Sequence, residues 1–302
     1  DGEGGLKAAT TLRAGDTPFA VAAVDLDGDQ RTDLVSANFL GRSISLYGNQ
    51  GAARFAAMQE LPAGAHPVSL AVADLDGDGR PDLACANQVG DSVSVFLNSA
   101  LGFTTFREIP VGPRPSAVVT ATLTSSDAAP SLLLSASGSG AASPAALWVL
   151  RARGGGAFAA AVSYPVPAAA TDIAVGDLTG DGIPDVALAH LQQDLVSVLP
   201  GDGRGGFGAA RTFIVPGGPA ALALVDLDRD GALDVVVAQT GAGAAAVLRG
   251  LPGTLAAPVS FPACQGPTDI AVGDLDRDQW PDLILACAGE DAVAVLRSVP
   301  GR

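Results

Sequence analysis

This 302-residue chain is poor in several residue types. It has one methionine, two histidines, three cysteines and 5% aromatic residues. With so few large side chains, its core must be built from Ala, Val and Leu, which suits thin, closely stacked layers. Basic residues are also scarce, 17 against 32 acidic ones, giving a formal net charge of −15. Nucleic-acid binding through phosphate neutralisation needs a basic face and is excluded on that ground. Anionic membrane surfaces would repel the chain for the same reason. The longest uncharged run, residues 128–150, is broken by Pro130, Pro144 and several Gly and Ser, unlike a membrane helix. The start has neither a basic region nor an apolar stretch, so it does not resemble a signal peptide; a removed leader would leave the same start. No CxxC occurs, which removes zinc ribbons and thioredoxin-like sites. An odd number of cysteines leaves at least one without a partner in the chain. Cys264 and Cys287 flank one hairpin, and whether they form a disulfide stays open; Cys85 reads as a buried strand residue.

What is abundant is glycine (38), proline (21) and aspartate in a fixed pattern. Nine-residue clusters begin at Asp25, Asp74, Asp177, Asp226 and Asp274, spaced by 49, 103, 49 and 48 residues. The gap of 103 is two periods, which places a decayed copy at Thr122, in the stretch Thr122-Leu123-Thr124-Ser125-Ser126-Asp127. A proline precedes each cluster by seven residues (Pro18, Pro67, Pro115, Pro219, Pro267), and only the fourth copy departs, with Ala170. Six repeats of about 50 residues therefore fill residues 1–302 as a single domain, the third lacking the metal loop. In the second repeat, residues 69–73, 83–87, 93–97 and 103–109 read as four short strands, with no helical period. The expected fold is all-β, a six-bladed β-propeller of four-stranded antiparallel blades. The last repeat has room for only three strands. Residues 6–13 are expected to supply its fourth, an N-terminal strand completing the last blade and hiding its edge.

Each intact cluster carries oxygen ligands at positions 1, 3, 5 and 9, and a backbone carbonyl at position 7. The candidate metal residues are Asp25, Asp27, Asp29, Arg31 and Asp33 in the first copy, and Asp74, Asp76, Asp78, Arg80 and Asp82 in the second. The fourth copy gives Asp177, Thr179, Asp181, Ile183 and Asp185; the fifth gives Asp226, Asp228, Asp230, Ala232 and Asp234. The sixth gives Asp274, Asp276, Asp278, Trp280 and Asp282. Calcium takes six to eight such oxygens, whereas Mg²⁺ rarely accepts an all-protein cage. Positions 4 and 6 hold Gly or polar residues that tolerate unusual backbone angles. An EF-hand loop is excluded because its position-12 Glu is replaced by Ser36, Cys85, Leu188, Val237 and Leu285. About five Ca²⁺ sites are expected, weaker in the Thr179 copy and lost in the third. The five loops hold 19 of the 32 acidic residues, so five Ca²⁺ would bring the net charge to about −5.

These loops, the strand leading into them (residues 173–178 and 270–275) and the glycine-rich turn at 201–207 resemble FG-GAP/VCBS-type repeats. Such repeats occur in the integrin α-subunit propeller, in fungal propeller lectins and in many secreted bacterial proteins. The resemblance implies a propeller with calcium held at the hairpin between a blade's first two strands, on the residues just named. It also implies an extracellular or periplasmic setting. Integrins and those lectins have seven units where this chain has six, and the chain has no arginine-glycine-aspartate tripeptide.

No enzyme motif surrounds His66 or His190, and the GxGxxG match at Gly201 lacks a βαβ unit. The chain is expected to be no enzyme. Its partner is expected to be another protein, bound through the face opposite the calcium loops. Residues expected there are Asn38, Phe39, Arg42, Asn87, Gln88, Asp91, His190, Gln192, Gln193, Asp194, Gln239, Glu290 and Asp291, with His66 and Arg114 between blades. Alternatives are a lectin, against which stands the absence of a recurring aromatic position, and a polysaccharide-acting enzyme.

Overall fold

A computed structural model describes residues 10–52 and 54–298. Among them the secondary structure is all strand and turn. The fold class is that of a six-bladed β-propeller, six small antiparallel sheets in chain order. The chain divides into two compact units, Leu12–Ala169 and the part from Ala170 onward, each holding three blades.

In the first unit, blade 1 comprises β1 (Pro18–Val24), β2 (Asp33–Asn38), β3 (Ser43–Tyr47) and β4 (Gln59–Pro62). Blade 2 comprises β5 (Pro67–Ala73), β6 (Asp82–Asn87), β7 (Ser92–Ser99) and β8 (Gly102–Pro110). Blade 3 comprises β9 (Pro115–Ala121), β10 (Ser131–Ala136), β11 (Ala146–Leu150) and, after a two-stranded ribbon of β12 (Ala152–Gly154) and β13 (Ala157–Phe158), β14 (Val162–Pro165). In the second unit, blade 4 comprises β15 (Asp172–Gly176), β16 (Asp185–His190), β17 (Leu195–Leu199) and β18 (Arg211–Ile214). Blade 5 comprises β19 (Pro219–Val225), β20 (Asp234–Gln239) and β21 (Ala244–Leu248), then the ribbon β22 (Gly250–Leu251) and β23 (Thr254–Leu255), then β24 (Val259–Pro262). Blade 6 shows three strands, β25 (Pro267–Gly273), β26 (Asp282–Cys287) and β27 (Ala292–Leu296). Of the strand expected to complete it, residues 6–9 lie outside the described residues, and residues 10–13 carry no strand.

The repeat period is visible in the geometry. The first strand of each blade begins at the marker proline in five copies, and β1–β2, β5–β6, β19–β20 and β25–β26 share one register with a shift two residues in. The residue before each proline has a left-handed backbone: Thr17 (φ 55°), His66 (58°), Arg114 (56°), Gly218 (71°) and Gly266 (60°). This turn aims the chain from one blade's outer strand back to the next blade's inner strand. Neighbouring inner strands stack within each unit, β1 on β5 on β9, and β15 on β19 on β25. Between the sheets lie small and branched residues. Examples are Val35, Ala37 and Ile44 facing Leu83 and Cys85, and Ala187, Ala189 and Val196 facing Val235 and Val237. The shortage of aromatics thus becomes close sheet-on-sheet contact. Cys264 and Cys287 form a disulfide that ties the segment after β24 to the end of β26, while Cys85 is a buried free thiol.

Candidate metal centre

Five loops between first and second strands share one construction. Positions 4 and 6 are left-handed in every copy. They are Gly28 and Gln30, Gly77 and Gly79, Gly180 and Gly182, Arg229 and Gly231, and Arg277 and Gln279. These two reversals wrap the chain around the side chain of position 1. Its Oδ2 accepts the position-6 N–H at 2.7–3.0 Å in all five loops, for Asp25, Asp74, Asp177, Asp226 and Asp274. The position-5 carboxylates of Asp29, Asp78, Asp181, Asp230 and Asp278 accept the position-7 N–H of Arg31, Arg80, Ile183, Ala232 and Trp280. Each loop is thereby tight, and in four of the five the carboxylates gather at its centre. Asp25, Asp27 and Asp29 bring oxygens within 4.8 Å of one another, as do Asp74, Asp76 and Asp78, Asp226, Asp228 and Asp230, and Asp274, Asp276 and Asp282.

Position 9 does something the sequence did not reveal. Asp33, Asp82, Asp185, Asp234 and Asp282 open the second strand and are at most 2% exposed. Each spends both carboxylate oxygens on backbone N–H donors. Oδ2 accepts from position 2, namely Leu26, Leu75, Leu178, Leu227 and Leu275, at 2.8–3.0 Å. Oδ1 accepts from the residue sixteen further on, at or just past the end of the third strand: Asn49, Asn98, Gly201, Gly250 and Ser298. This side chain pins the loop to two strands of its blade. A carboxylate oxygen has two lone pairs, so the clamp leaves room for a metal. Burial pushes the carboxyls of Asp82 and Asp234 upward, with Asp76 and Asp74, or Asp228 and Asp230, adding repulsion.

The third repeat splits the clamp between two side chains and changes the counter-charge: Ser131 Oγ, at the start of β10, accepts the Ala152 N–H at 3.2 Å, and Asp127 holds the loop. Asp127 Oδ2 accepts the N–H of Leu123, the counterpart of the position-2 leucines, and that of Thr124. Its Oδ1 takes the Arg151 guanidinium at 2.8 Å and the Thr124 hydroxyl. Burial raises the Asp127 carboxyl, but the Thr124 and Arg151 interactions outweigh it and hold it below its ordinary value. Arg151 follows β11 as Arg249 follows β21 and Arg297 follows β27; these two pair with Asp228 and Asp276 at position 3. In blades 1 and 2 the position-7 arginines, Arg31 and Arg80, pair with Asp29 and Asp78.

The residues fit a hard cation. The donor set is all oxygen, the type Ca²⁺ prefers. Two position-3 oxygens, Asp228 Oδ1 and Thr179 Oγ1, are buried with no hydrogen-bond partner, which leaves them available to an ion. Asp177, Asp181 and Asp185 do not form a three-carboxylate group of the kind the other loops make among the described residues, in keeping with Thr179 at position 3.

At the opposite end of the blades the structure divides the expected surface. Asn38, Asn87, His190 and Gln239 are buried. Asn38 donates to Ser43 and Ser45, Asn87 to Ser92 and Ser94, and His190 Nε2 lies 2.7 Å from Ser197 Oγ. They are internal ties between strands and not surface residues. Asp91 and Asp194 are exposed and accept N–H groups of the segment leading to the next blade, those of Arg114 and of Gly217 and Gly218. Leu40 and Val89 are more than half exposed, and the Phe39 and His66 rings lie against each other with centroids 4.3 Å apart and planes tilted by 40°.

Comparison with known proteins is consistent with this architecture. The FG-GAP-like repeat family model matches residues 25–85, 180–237 and 226–285, over half of the chain. The chain belongs to that family. Among solved structures it is similar to BBS1N, crystallised in complex with ARL6DN (15% identity, TM-score 0.51, 96% of this chain and 95% of that one). It is also similar to a lectin of Agrocybe aegerita, from a structure concerning recognition of non-reducing terminal N-acetylglucosamine (18% identity, TM-score 0.56, 80% of this chain and 65% of that one). No curated protein matches the chain. No helix among the described residues is long and apolar enough to cross a membrane.

Proposed function

We propose that this protein is a calcium-stabilised propeller that binds another protein, as an adhesion module or a subunit of a cell-surface assembly outside the cytoplasm. The observation that carries the reading is the five-fold recurrence of one oxygen-only loop. Asp25, Asp27, Asp29 and the Arg31 carbonyl, with their counterparts, are the residues that would hold the ion. Bound Ca²⁺ would neutralise carboxylates that otherwise repel one another, and so stabilise the native loops by mass action. The disulfide between Cys264 and Cys287 supports an oxidising compartment. No catalytic role is assigned to either histidine: His190 is an internal strand tie, and the His66 ring lies against that of Phe39.

Protein binding is assigned to the end opposite the metal loops, where Leu40, Val89, Phe39 and His66 give an apolar patch on a rigid frame. Cross-linking on native cells should recover a protein partner, and Leu40→Asp with Val89→Asp should abolish that recovery while leaving melting unchanged. Recovery unaffected by the double variant would remove this surface from the account. The likeness to a lectin favours a second reading, carbohydrate binding; a glycan array with the native chain separates the two, since the protein-binding reading expects no bound glycan.

A further inference from the structure

One side chain joins the backbones of two metal loops, loop 1 (residues 25–33) in blade 1 and loop 2 (residues 74–82) in blade 2. Asn98 lies near the end of β7 and is buried. Its backbone belongs to the loop-2 clamp, since its N–H reaches Asp82 Oδ1 at 2.7 Å. Its side-chain Nδ2 donates to two carbonyls. One is that of Pro81, in loop 2, at 3.3 Å. The other is that of Leu26, in loop 1, at 2.7 Å, a bond that crosses between blades and spans 72 residues of chain.

Both peptide groups around Leu26 are thereby fixed. The one joining Asp25 to Leu26 donates its N–H to Asp33 Oδ2, and the one joining Leu26 to Asp27 gives its carbonyl to Asn98. Asp25 and Asp27 are two of the three carboxylates that loop 1 gathers. On the other side, Asn98 holds Pro81 and Asp82, which directly follow the position-7 carbonyl of Arg80. The corresponding residues of later blades do not repeat this link through a side chain. Ala152 has no side-chain donor, Gly201 and Gly250 have no side chain, and the Ser298 hydroxyl is spent on Pro281 of its own loop. Blade 5 ties the Thr179 loop by another route: Gly253, three residues past the Gly250 clamp, donates its N–H to the Thr179 carbonyl at 3.0 Å.

Resting on the calcium reading above, we propose that Asn98 is a positioning residue for loop 1 and couples its affinity for calcium to the filling of loop 2. With loop 2 filled, Asp82 and the Arg80 carbonyl are held in place, and Asn98 with them. Asn98 then holds the Leu26–Asp27 peptide in the form that brings Asp25 and Asp27 together. By linkage the effect is reciprocal: filling loop 1 strengthens loop 2 by the same factor.

The test titrates calcium into the isotope-labelled full chain and follows the Gly28 and Gly77 amide resonances. Their N–H groups donate to Asp25 and Asp74, so they read loops 1 and 2 separately. Asp78→Ala removes a ligand of loop 2 and leaves its clamp intact. It should raise the calcium midpoint at Gly28, in the other loop, about fivefold. Asn98→Ser keeps the backbone clamp, and its hydroxyl can serve Pro81 as Ser298 serves Pro281. It is one bond too short for Leu26. In that background loop 1 should already be weakened, and adding Asp78→Ala should move the Gly28 midpoint no further. A Gly28 midpoint indifferent to Asp78→Ala in the otherwise native chain overturns the coupling while the calcium reading stands. So does an equal shift in both backgrounds. If calcium moves neither resonance, the calcium reading falls and the proposal with it.

Discussion

The carboxylates of one loop are chemically alike but have different work. Asp78, at position 5, is partly exposed and bonded only within its own loop and to Arg80. Asp82, at position 9, is buried and joins the loop to the ends of two strands. Removing it orphans two backbone donors, each at about 1–3 kcal/mol. Asp82→Ala should therefore lower the melting temperature both with calcium and in chelator, while Asp78→Ala should lower it only with calcium. Equal behaviour of the two variants in chelator would contradict the clamp. Asp172 is a different case. It faces Asp269 from blade 6, and its Oδ2 accepts the N–H of Leu222 on the next blade at 2.9 Å. Burial pushes its carboxyl up to about 6 from 3.8, with Asp269 adding to the shift. The native state thus favours the protonated form. The associated stability is fully present below pH 3.8 and is lost as pH rises through about 6. Asp172→Asn keeps an acceptor for Leu222 and carries no charge. The variant should gain on the native protein progressively between pH 4 and 7, by about 3 kcal/mol at the upper end, as read from denaturant midpoints. A constant difference across that range would refute the assignment.

At the scale of the element, the loops and their spacing were legible because they are written in residue types. The Asp clusters, the left-handed positions 4 and 6 and the marker prolines all lie where the repeat places them. The clamp was not legible, because its partners are backbone N–H groups on residues as unlike as Asn98, Gly201 and Ser298. Nor was the burial of Asn38, Asn87, His190 and Gln239. Polar residues at a strand's end read as loop surface until their serine or backbone partners are placed beside them. The third repeat shows both limits. Its loss of the aspartates was plain, but the substitution of Arg151 for an external cation depends on a residue 24 positions away from Asp127. Arg151→Met should leave the part-buried Asp127 without its counter-charge. Blade 3 should be destabilised by about 1 kcal/mol, and calcium should not restore it. Recovery of the native melting temperature on adding calcium would show that this loop binds metal after all.

For the whole molecule, charge and stability are one question. The chain's acidity is concentrated in five loops, each held tight by its own backbone donors, and four of them present three carboxylates to one point. Calcium filling those points, as proposed above, would make the stability of the blades depend on it. Thermal unfolding followed in excess chelator and then in millimolar calcium tests this most directly, with equilibrium dialysis on the same sample. The expected melting temperature is higher by about 10 °C in calcium, with up to five ions bound per chain and the Thr179 loop the weakest. Superimposable melting curves, with no calcium retained on dialysis, would contradict it.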